Sequence, residues 1–106
     1  GPALVCAWQM FRAVPPRART PSVYLEMMGA LGAVGNNEGV VGLLRVASKH
    51  GLIPSPAMLM AAIEANPDPQ TVLQLHAQLP AYPKSLLTQR AVIIVEQARS
   101  SKAAIL

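Results

Sequence analysis

Arg45 and Lys49 stand four residues apart, a separation that sets two side chains on one face of a helix. With Arg12, Arg17 and Arg19 they form the basic cluster of the sequence, and such cations are what a phosphate backbone requires. The competing reading of Arg45 and Lys49 is an ordinary solvated helix face. Cys6 is the one cysteine, so no internal disulfide or multi-cysteine zinc site can form. It neighbours Trp8, with no base and third group to make it a nucleophile, and a structural buried thiol is expected. His50 reads as a helix-end residue and His76 as solvated or partly buried; neither has a second ligand at metal spacing. Glu26, Glu38, Glu64, Asp68 and Glu96 are scattered, which leaves metal-assisted hydrolysis without its clustered carboxylates. Gly32, Gly35, Gly39 and Gly42 are followed by no Gly-Lys-Ser/Thr, so the stretch is a turn between helices rather than a phosphate loop. No enzymatic activity, metal or cofactor is expected.

The elements that would carry these residues follow from composition and punctuation. The 106 residues are 52% apolar and 13% charged, too hydrophobic for a disordered tail. With one Trp, two Tyr and one Phe, the core must be filled by Ala, Leu, Val, Met and Ile, which favours helices over a sandwich or barrel. Net charge is +4 and the sequence pI about 9.9, which permits a polyanionic partner. A mean hydropathy of +0.34 with so little charge implies that part of the surface is covered by a partner or by the rest of a longer chain. No apolar run approaches the roughly 18–20 residues that span a bilayer. Gly1-Pro2 looks like the scar of a tag-cleaving protease, so the chain is expected to be an excised segment.

Ten prolines divide the sequence into helical pieces. Residues 3–14 carry an inward stripe of Leu4, Ala7, Trp8 and Phe11, and Pro15-Pro16 ends that helix. Thr20 caps a second helix with Pro21 at its first position and Tyr24, Met27, Met28 and Leu31 inward. Gly35 suits its left-handed end. Asn36 or Asn37 caps a third, running to about His50, with Val40, Leu43, Leu44 and Ala47 inward and Gly51 closing it. Gly39 and Gly42, three apart, are positioned to let another helix approach closely. Ser55-Pro56 opens a fourth helix with Leu59, Ala62 and Ile63 inward, and Asp68-Pro69 a short fifth with Val72, Leu75 and Leu79 inward. A last helix is expected from near Pro83 to Arg99, with Leu87, Ala91, Ile94, Val95 and Ala98 inward and a frayed tail from 100 to 106. Ala91–Val95 is β-prone by residue type, but helical flanks make it a buried helix segment.

A repeat is visible. Thr20-Pro21 and Ser55-Pro56 are 35 residues apart, and each proline is followed three residues on by an apolar side chain. Tyr24, Leu31, Gly35-Asn36, Ala47 and the Gly51-x-x-Pro54 exit make residues 21–56 resemble a pentatricopeptide repeat. Units of about 3–20 (partial), 21–55, 56–82 (degenerate, with a shortened second helix) and 83–99 (partial) follow. The fold is then all-α, an α-solenoid of antiparallel helix hairpins with about six helices in one domain, 3–99.

The resemblance implies a role in organellar, mitochondrial, RNA metabolism, with single-stranded RNA or a protein of a ribonucleoprotein assembly as partner. Family members read bases with a small polar residue early in the first helix and a polar one just before the next unit. The early positions here are Leu25 and Met60, which cannot bond a base edge. They are candidates for partner binding, flanked by the small Ser22 and Ala57. Ser55 occupies the later position and can bond a base. The candidate RNA contacts are thus Arg12, Arg17, Arg19, Arg45, Lys49 and Ser55, and the alternative is a protein scaffold without RNA. Met27, Met28 and Met58 read chiefly as core. Apolar ends of the stack could pair two copies.

Overall fold

Three helices start at the same signal, an oxygen-bearing side chain followed by proline. Thr20 Oγ1 accepts from the Val23 amide at 3.4 Å, Ser55 Oγ from Met58 at 3.3 Å, and Asp68 Oδ2 from Thr71 at 3.1 Å. Each satisfies an amide that has no partner within the helix, while the proline at the next position gives up no useful donor. The computed structural model describes residues 2–65, 67–79 and 87–105. Its helices are α1 (Pro2–Ala13), α2 (Pro21–Ala33), α3 (Asn37–Lys49), α4 (Pro56–Glu64), α5 (Pro69–Gln78) and α6 (Gln89–Ile105), with a 3-10 turn at Pro16–Ala18 between the first two. Among the described residues there is no strand.

The ends of α2 and α3 are alike. Asn36 N–H donates to Leu31 carbonyl at 2.9 Å and Gly35 N–H to Gly32 carbonyl at 3.1 Å; Leu52 donates to Ala47 and Gly51 to Ser48, each at 3.0 Å. These paired bonds need a left-handed residue, and Gly35 and Gly51 supply it at φ 78° and 83°. Asn36 then caps α3 through Oδ1, which accepts from Gly39 N–H at 3.0 Å. Gly39 and Gly42 do not serve a helix–helix approach. A Cβ on Gly39 would meet the Asn36 side chain at 2.9–3.1 Å, whereas Gly42 faces open space. The first glycine makes room for the cap, and the second has no close neighbour.

Helices adjacent in sequence pack on each other from α1 to α5, and α5 packs on α6. Two further contacts skip a helix: α2 meets α4, and α4 meets α6. α4 therefore touches α2, α3, α5 and α6, and its Met58, Ala62 and Ile63 are fully buried. The molecule is elongated, 45 × 28 × 24 Å. All the inward positions expected on α2 through α5 are buried. Burial also extends to Val41 and Met58, beyond the stripes, because α3 and α4 each face more than one helix. α5 has 10 residues against 13 in α3.

Four expectations change. Cys6 is exposed, because Leu4, Ala7, Trp8 and Phe11 turn the other side of α1 inward. The last helix begins at Gln89 rather than near Pro83: Leu87 and Thr88 are not helical, and Pro83 lies outside the described residues. It continues past Arg99 to Ile105, since Ser-Ser-Lys-Ala-Ala offers no glycine or proline to stop it. Within it Ala91, Ile94 and Val95 are buried, but Val92 and Ile93 are 41% and 49% exposed, so the β-prone run is only half-covered.

The start of α6 is fixed by Thr88. Its Oγ1 accepts from Ala91 N–H at 3.1 Å and donates to Glu64 Oε1 at the end of α4. One hydroxyl both caps α6 and ties it to α4. Thr88→Val keeps the shape but loses both bonds. It is expected to cost about 1–2 kcal/mol, measured by urea unfolding, whereas Thr88→Ser should stay close to the parent.

Candidate interaction surfaces

The basic residues divide between two places. At the α1–α2 corner, Arg19 Nε donates to Val14 carbonyl at 3.0 Å and its guanidinium lies 4.0 Å from the Phe11 ring centre. Arg12 sits over Trp8 at 5.5 Å. Trp8, Phe11 and Tyr24 continue edge to face, at 5.9 and 5.3 Å between centroids. Arg12 and Arg19 thus brace an aromatic row, an arrangement that employs their planar groups. Arg17 is exposed on the 3-10 turn.

Arg45 and Lys49 occupy the outer face of α3, both exposed. Among the described residues neither is in an ion pair within 4 Å; the pair that does form is Arg99–Glu96 at 4.0 Å. Arg45 faces Asp68 without bonding to it. The Asp68 carboxyl is held below its ordinary value of 3.8, first by the Thr71 hydroxyl, which donates to it at 2.7 Å, then by the Thr71 amide, with Arg45 contributing least. Ser55 is half-buried and its oxygen is engaged as the α4 cap, so a base would have to compete with Met58 N–H for it.

Leu25 and Met60 are half-buried and pack against the core. Leu25 borders a groove of about 360 Å³ where α2, α4 and α6 converge, whose rim carries Asn37, Glu64 and Arg90. Gly29 and Gly32 keep its α2 side open, since a Cβ on Gly29 would meet nothing within 4 Å. A second groove of about 260 Å³ runs between α3 and α5. The sequence pattern singled out Arg45 there but not Gln74 or Gln78, which join it only because α5 lies alongside. Nor did it signal Arg90 or Glu64, which border the same groove because α4 and α6 are in contact.

Large apolar side chains are exposed on α1, on α6 and in a loop. Val5 (55%) and Met10 (66%) lie on α1, Val92 and Ile93 on α6, and Ile53 in the α3–α4 loop reaches 86%. Among the described residues no three His, Cys, Asp or Glu side chains group to hold a metal, and no helix is long and apolar enough to cross a membrane. Compared with protein-family models, with curated proteins and with solved structures, the chain finds no match.

Proposed function

We propose that the chain is a pentatricopeptide-like helical-repeat module of a mitochondrial RNA-metabolism protein, which helps assemble a ribonucleoprotein complex chiefly through protein contact. The repeat reading is supported by the packing of α2 on α4 and of α4 on α6. In a solenoid of antiparallel hairpins these are the first helices of successive units, and Thr20-Pro21 and Ser55-Pro56 start the first two in the same register. The observation that carries the protein-contact reading is the chemistry of Leu25 and Met60. At the positions where a base would be read, both side chains are apolar and half-buried. Exposed Ile53, Val92 and Ile93 extend the surface available to a protein.

A second reading, direct RNA contact, is favoured by the exposure of Arg45 and Lys49 and their freedom from ion pairs. Fluorescence anisotropy with labelled single-stranded RNA homopolymers separates the two. The expected result is weak binding at about 50 mM salt that disappears near 150 mM, because few phosphates are neutralised. Arg45→Glu with Lys49→Glu should weaken the low-salt binding equally for every homopolymer and flatten its salt dependence. Saturable binding that persists at the higher salt, or that prefers one base, would replace protein assembly by RNA recognition as the primary role.

A further inference from the structure

The groove between α3 and α5 has a composition of its own. Its floor is Val41, Leu44 and Leu75, all buried side chains with one edge toward the groove. Its walls are Arg45 and Ser48 from α3 and Gln74 and Gln78 from α5, all exposed. No carboxylate lines it among the described residues. Two carboxylates, Glu38 and Asp68, share the neighbouring hollow with Arg45; among the described residues neither forms an ion pair with it within 4 Å, and both Asp68 oxygens accept from Thr71. The Arg45 guanidinium therefore has donors to spare, in a fork suited to a carboxylate. Gln78 Nε2 donates to the Gln74 carbonyl at 3.4 Å, which holds its own carbonyl oxygen apart as an acceptor. Glutamine amides and a serine hydroxyl can both give and accept bonds, as a peptide backbone requires.

The occupant is decided by what the groove has and lacks. It is cationic with an apolar floor, so it suits a segment with an acidic and an aliphatic side chain. Among the described residues it has no aromatic surface on which a base could stack: Trp8, Phe11 and Tyr24 belong to the α1–α2 corner. A single arginine is also a poor path for a phosphate chain. The geometry points to this groove as the docking site for an acidic, aliphatic-bearing peptide segment of a protein partner, with Arg45 taking its carboxylate. The inference rests on the protein-assembly reading and names the chemistry of the partner.

The test is selection of a random-peptide phage library on the full chain, with Arg45→Glu as the parallel target. Arg45 is exposed, so the variant keeps the fold, which circular dichroism checks. Enriched peptides should carry Asp or Glu beside Leu, Ile or Val, and should bind the variant roughly tenfold or more weakly, the scale of one lost charge-assisted bond. Amide shifts in a nitrogen-15 NMR titration should fall on the Gln74 and Gln78 side chains. Lys49→Glu, one turn beyond the groove, should have a smaller effect. Enrichment that is indifferent to Arg45→Glu, or shifts that cluster at Leu25 and Met60, removes this groove while leaving protein assembly in place. No enriched peptide at all, with homopolymer RNA shifting the Arg45 and Ser48 signals instead, overturns both.

Discussion

Replacing Ile63 by alanine is expected to remove about 2–5 kcal/mol of stability, the range for emptying a buried aliphatic site. Ile63 is fully buried on α4, the helix that touches α2, α3, α5 and α6. A void there borders several neighbours, and each can move into it only by leaving a contact elsewhere. The loss should appear as a fall in Tm of roughly 10–25 °C with the urea slope little changed. Ile93→Ala makes the control: its side chain is 49% exposed on α6, and surface changes of that kind stay within about 0.5 kcal/mol. Equal losses for the two variants would show that α4 is not the centre of the packing.

Tyr24→Phe is expected to stabilise the protein. The ring is 1% exposed and lies edge to face with Phe11 at 5.3 Å, so nearly all of its contribution is apolar. Its hydroxyl is buried and has no hydrogen-bond partner among the described residues. A buried, unsatisfied polar group forfeits its bonds to water, at about 1–3 kcal/mol. Phenylalanine keeps the ring and sheds that penalty, so a gain of about 1 kcal/mol should be read in thermal or urea unfolding. Tyr24→Ala should do the opposite and cost about 3–5 kcal/mol, since it removes the ring that joins Phe11 to the α2 core. A loss in the phenylalanine variant would mean that the hydroxyl is bonded to a buried water in solution.

Much of this was legible in the sequence because the signals are local. Thr20-Pro21, Ser55-Pro56 and Asp68-Pro69 start helices by chemistry within four residues, and Gly35 and Gly51 end them by their own backbone freedom. Inward positions follow from a period of 3.6. What depends on a neighbouring helix was not legible. Val41 is buried because α3 is covered on more than one side, which no single stripe encodes. Pro83 suggested a start for the last helix that Thr88 takes instead, and Thr88 owes part of its hold to Glu64, 24 residues earlier. The interaction surfaces divide in the same way. Arg45 and Lys49 share a face by spacing alone, but Gln74, Gln78 and Arg90 reach their grooves only through packing between helices.

The interior holds no buried charge among the described residues, and most side-chain hydrogen bonds close within a single turn at a helix start. Apart from the Thr88–Glu64 bond between α6 and α4, the helices thus meet one another chiefly through shape. Faces of that kind are nearly interchangeable, since swapping one aliphatic side chain for another of similar volume strands no ion and breaks no network. A chain built this way can drift through many of its inward residues and keep its packing. What must be kept is small: the capping oxygens of Thr20, Asn36, Ser55, Asp68 and Thr88, the left-handed Gly35 and Gly51, and apolar character inside.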